Sequence, residues 1–334
     1  MGKGKVTVEG NSRKVRQQRR KVLGTLSSLT VHPRTRQRYD RALGKFFAYL
    51  QWHRITLAST ALALDAQLAD YVEYLWQEGD SRYLGGDTVA AIQDAQPELK
   101  GSLLKSWRLL KTWARHELPA RAPPLTPRLV YALCGWFVKR NMSACALAIH
   151  LAFVALLRTG EMLGLQSKHI QASKSSGQIV LNLQATKTSH RHAVLDSVVV
   201  SNFQLAWHLQ AWQTQVSAET YLVSMSCACF RARFATALQE LHLSNFPFKP
   251  YSLRRGGATA LFQAVQSFSK VCHVGRWQTE RSCRLYIQDA SASLTDMRLS
   301  PCAYRDQMEK YWTGQLGLAS QGRDRMARGR GRKL

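Results

Sequence analysis

The sequence predicts a mainly α-helical protein of two domains with one small β-hairpin. Three observations carry that prediction. The chain is 334 residues long, more than one small module needs. Apolar residues recur at helical spacing through both halves and change to a strand's period only near residue 180. Between the halves, Leu118 to Pro127 holds Pro119, Pro123, Pro124 and Pro127. Proline removes an amide donor and disfavours helix at the residue before it, so this stretch reads as a linker. With 45% hydrophobic and 9% aromatic residues, a sizeable core can form and wholesale disorder is excluded.

Taken in order, residues 1–29 read as a basic N-terminal arm without apolar periodicity. Residues 30–118 read as a small helical domain. One helix carries Tyr39, Leu43, Phe46, Phe47 and Leu50, and a second carries Leu68, Tyr71, Val72, Leu75 and Trp76. A shorter one covers Asp87 to Asp94, and a fourth carries Leu103, Leu104, Trp107, Leu110 and Ala114. After the 119–127 linker, the second domain, 128–312, opens with helices near Leu129–Val138 and Ala144–Leu157. Gln178 to Gln184 and His192 to Leu195 read as two strands joined by the polar, basic tip Ala185–Arg191. Helical spacing returns at Phe203–Trp212, at Phe230–Leu241, again through Ala260, Leu261 and Val265, and at Tyr304–Trp312. Residues 313–334, rich in Arg and Gly, read as a disordered basic tail.

The charge narrows the partner. Lys and Arg number 47 against 21 Asp and Glu, a net +26. Residues 1–21 supply +7 of it and residues 321–334 supply +5, which leaves +14 on the middle of the chain. The tails alone do not account for the imbalance, so a folded basic surface is expected, with a nucleic-acid backbone as its partner. Seven cysteines, an odd number without a CxxC pair, read as reduced thiols rather than a disulfide frame. The longest apolar run, Ala144 to Leu157, is interrupted by His150 and is too short to span a bilayer, so no membrane partner is expected. The first 21 residues lack the apolar core of a secretory signal. GxxxxGK[ST] and HExxH are both absent, and Cys227-Ala-Cys229 and Cys272-His273 fit no common zinc spacing. No cofactor and no metal are therefore expected.

Four segments of the second domain hold groups suited to phosphate chemistry. Arg158 follows the apolar helix directly, with Glu161 three residues on to hold its guanidinium. By itself this is a structural ion pair. Lys187, in Thr186-Lys187-Thr188, sits at the hairpin tip, where a lysine is ordinarily just solvated. Tyr251-Ser252-Leu253-Arg254-Arg255 opens a helix, and Tyr251 and Arg254 share a face of it. Alone that is a cap with surface arginines. Trp277, in Gly275-Arg276-Trp277, precedes Tyr286 by nine residues, and a tyrosine between Leu285 and Ile287 is most often core. Jointly, two arginines, a lysine, an indole donor and a phenol in one basic domain equip a site to transfer a phosphodiester without a metal.

In order and spacing these segments resemble the tyrosine recombinase, or phage-integrase-like, family, which shares its catalytic domain with type IB topoisomerases. Arg158 with Glu161 resembles the family's first arginine and its acidic companion, and Lys187 its β-hairpin lysine. Tyr251-x-x-Arg254 resembles its His-x-x-Arg box, Trp277 its His/Trp position, and Tyr286 its nucleophile. The resemblance spans about residues 30–290. It implies a helical core-binding (SAM-like) domain and a mixed α/β catalytic domain, closing on duplex DNA. It also implies strand breakage and rejoining through a 3′-phosphotyrosyl intermediate, without metal or ATP, by a homo-oligomer (a tetramer on two duplexes). The location follows the DNA: nuclear in a eukaryote, otherwise cytoplasmic. Tyr251 departs from the family's histidine. A phenol of pKa ~10 is a poor proton acceptor at neutral pH but still donates a hydrogen bond. A mobile-element recombinase that keeps the fold and binds DNA with impaired catalysis is the alternative expectation.

Overall fold

Side-chain caps fix where the helices of the first half begin. From the N-terminus the helices are α1 (Arg13–Leu23), α2 (Pro33–Trp52), α3 (Ala61–Gln77), α4 (Arg82–Ala95) and α5 (Leu104–His116); Pro33 at the first helical position and the His32 ring, which accepts from the Arg34 amide, start α2. Thr60 and Ser81 cap α3 and α4 in the same way. The computed structural model describes residues 13–118, 121–183 and 196–330, the side chains at 14, 19 and 318–330 excepted. It divides into two units, Met1–Ala120 and Arg121–Leu334.

In the first unit Phe46, Leu68, Tyr71, Leu75, Val89 and Leu110 form a core shared by α2 to α5. Helix α5 has no cap from its own flank; Asp65 of α3 supplies one. Its carboxylate accepts from the Lys105 amide at 2.8 Å, the Ser106 amide at 3.0 Å and the Ser106 hydroxyl at 2.6 Å. Burial pushes the Asp65 carboxyl up, but these bonds more than offset it and leave it below its ordinary range. Asp65→Ala is expected to cost the first unit about 2–3 kcal/mol in urea unfolding at pH 7, because a buried cap and two helix amides lose their acceptor.

The second unit contains α6 (Pro127–Lys139), α7 (Ser143–Val154), α8 (Thr159–Leu163), β1 (Ile170–Ala172), β2 (Gln178–Leu183), β3 (Asp196–Ser201), α9 (Phe203–Gln213), α10 (Cys227–Glu240), α11 (Tyr251–Val265), α12 (Phe268–Gly275), α13 (Glu280–Arg284), α14 (Asp289–Met297) and α15 (Ala303–Arg330). The strands form an antiparallel sheet in the order β1-β2-β3, with Ile170 opposite Leu181 and Val180 opposite Val199. Ile179, Leu181 and Leu183 alternate into the core, as a half-buried strand requires. Helix α7 is apolar all round and buried on every face but its ends. Helix α15 lies against α6 of the same chain at Gly135, where an added Cβ would stand 2.0 Å from the Met308 carbonyl oxygen. Among the described residues no helix is long and apolar enough to cross a membrane.

The structure departs from the sequence reading at four places. The stretch 1–29 contains helix α1, built from long Arg, Lys and Gln side chains that favour helix without any core to face. The strand after the hairpin tip is Asp196–Ser201, where three consecutive valines pair with β2; the expected run His192 to Leu195 lies outside the described residues. Strand β1 was not anticipated, since three residues are too short to show alternation. The tail expected from 313 onward is helical to Arg330; Met308, Trp312 and Leu316 form a buried stripe at i, i+4 and i+8 that carries the helix past 313.

One buried group makes stability pH-dependent. His150 of α7 is enclosed by the Tyr131 and Trp312 rings, and neither of its ring nitrogens has a partner. Burial, then the neighbouring His208, lowers its pKa to about 4. In the unfolded chain it titrates near its ordinary value, so below about pH 6.5 the unfolded state takes up the proton first. Stability is therefore expected to be full above pH 6.5 and to fall by about 3 kcal/mol toward pH 4. A series of melts at pH 7 to 4 checks this, and His150→Leu should remove most of the decline.

Candidate active site

Two arginines that the sequence could place on a surface are buried at the start of α11. Gly256 and Gly257 make this possible. An added Cβ on Gly256 would lie 1.9 Å from the Leu125 carbonyl oxygen, and one on Gly257 would lie 2.0 Å from that of Phe153. The absence of side chains there lets α11 press onto the end of α7 and the segment before α6. Arg254, 0% exposed, then donates from Nη1 to the Leu156 carbonyl and from Nη2 to the Gly275 carbonyl at 2.6 Å. Leu156 itself is left-handed, with φ +50°, which turns the chain between α7 and α8. Arg255 donates to the Ala122 carbonyl at 3.0 Å and to the Leu285 carbonyl at 2.8 Å.

The same helix holds the tyrosine segment. Thr259 accepts from the Gln288 amide at 3.0 Å and donates to the Tyr286 carbonyl at 3.4 Å. Together with Arg255 this fastens residues 285–288 to α11. Tyr286 packs in a small cluster with Leu156, Ala258, Val271 and Cys283. Its ring lies 4.5 Å from that of Trp277, and the Arg254 guanidinium sits 4.6 Å from the Trp277 ring and 5.6 Å from the Tyr286 ring. Tyr251, 39% exposed, donates its hydroxyl proton to the Tyr286 oxygen. Burial first, then that bond, raises the Tyr251 pKa above the ordinary phenol value.

On the other side, Arg158 precedes α8, and Glu161 caps it. Oε2 of Glu161 accepts from the Arg158 amide at 2.8 Å, and Oε1 accepts from Arg158 Nη1 at 2.5 Å. Glu161 is only 5% exposed, whereas Arg158 keeps 29% of its side chain in solvent. A further guanidinium, Arg276, reaches Oε2 at 2.5 Å. Burial, then the positive charges of Arg158 and Arg276, depresses the Arg254 pKa to about 10. Three cations round one carboxylate leave a net charge of +2 in a largely buried space, a setting that favours an anion.

Of the residues singled out from sequence, Arg158, Glu161, Tyr251, Arg254, Trp277 and Tyr286 are brought together in this one region. Lys187 belongs to the connection between β2 and β3 and lies outside the described residues. Arg254 and Arg255 are not surface arginines of a cap. Arg255, Thr259 and Arg276 were not anticipated, since nothing local distinguishes them from solvated polar residues. Among the described residues no three His, Cys, Asp or Glu side chains group to hold a metal ion.

Neither a family model nor a curated protein matches the chain. Solved structures do. A Tn1549 transposon integrase with circular intermediate DNA matches at TM-score 0.57 and 12% identity, over 80% of this chain and 95% of that one. Lambda integrase, as a dimer bound to a COC′ core site, matches at TM-score 0.53 and 16% identity, over 82% and 76%. The XerH site-specific recombinase, in a post-cleavage complex with a palindromic difH substrate, matches at TM-score 0.52 and 14% identity, over 75% of each chain. The chain has the tyrosine recombinase fold. Within the tyrosine recombinase fold, the cluster described above occupies the junction of α8, α11, the α12–α13 turn and the segment after α13, all in the second unit.

Proposed function

We propose that the protein is a DNA strand transferase of the tyrosine recombinase type, acting through Tyr286. The observation that supports this most is the assembly of Arg158, Arg254 and Tyr251 around the Tyr286 phenol from three separate chain segments. In this reading the Tyr286 oxygen attacks a DNA phosphate. The new O–P bond forms as the P–O5′ bond breaks, the phenol gives its proton to water, and the 5′-oxygen leaves as a hydroxyl. Arg158, the exposed guanidinium, offers planar donors to the non-bridging oxygens, worth roughly 10²–10³-fold when preorganised, and Arg254, its Nη atoms taken by the Leu156 and Gly275 carbonyls, contributes positive charge beside Tyr286. Tyr251, by donating to the Tyr286 oxygen, steadies the phenolate. Trp277 holds Arg254 and Tyr286 in register through its ring. Lys187 protonates the leaving oxygen, the role its hairpin-tip lysine has by resemblance. Bond energy is kept in the phosphotyrosyl link, so no nucleotide is consumed.

The partner in this reading is double-stranded DNA, engaged by a homo-oligomer on two duplexes during exchange, with a mobile-element origin. The test uses randomised duplexes nicked so that the short strand 3′ to the cleavage point diffuses away. With chelator present and no ATP, the wild-type protein is expected to form an adduct stable to denaturing detergent, and Tyr286→Phe none. Tight binding with no wild-type adduct contradicts catalysis and leaves a DNA-binding module. Affinity for DNA is further expected to fall about 10³-fold between 50 and 200 mM salt, measured by fluorescence anisotropy, as for a protein neutralising six or more phosphates.

A further inference from the structure

We propose that Arg276 is a third arginine of this site, a positioning residue that clamps Glu161 and through it sets the Arg158 fork. The inference rests on the strand-transfer reading above. Arg276 is placed at a cost that packing alone does not require. Its backbone is left-handed, φ +56° and ψ +43°, at the C-terminus of α12, a position where glycine or asparagine is usual. An L-residue there is strained, and such strain persists where the surroundings over-determine it. The preceding Gly275 is needed for another reason: an added Cβ would lie 1.9 Å from the Trp277 ring.

The left-handed turn sends the Arg276 side chain inward, where it is 7% exposed. Nη2 bonds Glu161 Oε2, while Nε and Nη1 are buried without a partner. Asp196 and Arg158 are the other charges that act on it. Glu161 is thus held at both oxygens: Oε1 by Arg158 Nη1, and Oε2 by Arg276 and the Arg158 amide. Arg158 already engages both oxygens, but on Oε2 only through a neutral amide at 2.8 Å; Arg276 adds a charged donor there at 2.5 Å. With Arg276 in place the carboxylate plane is fixed, and the guanidinium of Arg158, the one arginine here with solvent access, is presented in one orientation. Arg276 also keeps the cluster at +2, where one arginine fewer would leave +1 facing the extra charge of a pentacoordinate phosphate.

Glycine is the informative substitution, because it is the residue that φ +56° favours. For a merely structural Arg276, Arg276→Gly leaves the reaction rate alone. For the positioning role, the variant melts within a few degrees of wild type and binds nicked DNA with affinity within ~3-fold. Its first-order rate of adduct formation at saturation falls roughly 10- to 100-fold, Arg276→Lys is intermediate, and added guanidinium ion restores part of the loss. In an Glu161→Gln background, Arg276→Gly should add little further loss, since both act through one carboxylate. An Arg276→Gly rate within ~2-fold of wild type overturns the inference, as do fully additive losses with Glu161→Gln. Adduct formation by wild type together with a full-rate Arg276→Gly removes this inference alone. A wild-type protein that forms no adduct removes the strand-transfer reading and this inference with it.

Discussion

Gly257→Ala is expected to destabilise the second unit by about 3 kcal/mol or more, and to abolish strand transfer with it. The added Cβ would meet the Phe153 carbonyl oxygen at 2.0 Å and the Leu156 side chain at 2.7 Å. The first of these is backbone of a helix buried on nearly every face, so it cannot step aside as a side-chain tip could. Relief requires α11 to back away from α7, and Arg254 then loses its reach to the Leu156 carbonyl. Urea unfolding followed by tryptophan fluorescence measures the cost. Gly314→Ala is the control, since nothing stands within 4 Å of its Cβ position in α15. There alanine should stabilise by up to ~1 kcal/mol through helix propensity.

Arg254→Lys is expected to lower the rate of adduct formation by about 10³-fold while retaining the positive charge. The wild-type guanidinium does three things at once. It donates to Leu156 and to Gly275, and it lies against the Trp277 and Tyr286 rings. A lysine ammonium has no plane to stack and cannot span both carbonyls. One of the two buried acceptors is left unpaired, at about 1–3 kcal/mol. The measurement is single-turnover adduct formation well below the variant's melting temperature, which separates lost chemistry from lost fold. A lysine variant that reacts at the wild-type rate contradicts the role given to the guanidinium fork.

Helices in this chain were legible because their burial is local. Leu68, Tyr71, Val72 and Leu75 repeat at helical spacing and are all buried on one face of α3. The short β1 and the valine-rich β3 were not, since β1 has three residues and the three consecutive valines of β3 show no alternation, and both depend on pairing with β2. At the site, residue types and spacing pointed to Arg158, Glu161, Tyr251, Arg254, Trp277 and Tyr286. What spacing cannot convey is burial of a charged group by distant backbone. The carbonyls that receive Arg254 and Arg255 come from Leu156, Gly275, Ala122 and Leu285, between 21 and 133 residues away. Arg276 was hidden for a related reason: only its left-handed backbone turns it toward Glu161, and nothing in Gly275-Arg276-Trp277 announces that conformation. The hydroxyl bond between Tyr251 and Tyr286 likewise joins residues 35 apart.

That bond also sets the most direct measurement, because it puts two phenols beside the same guanidinium. Trapped protein–DNA adduct, digested with nuclease and protease, can be sequenced by mass spectrometry to locate the modified side chain. The account predicts a nucleotide remnant on Tyr286, joined through its 3′-phosphate, in wild type and in Tyr251→Phe alike. A remnant on Tyr251, or on any other residue, contradicts Tyr286 as the nucleophile.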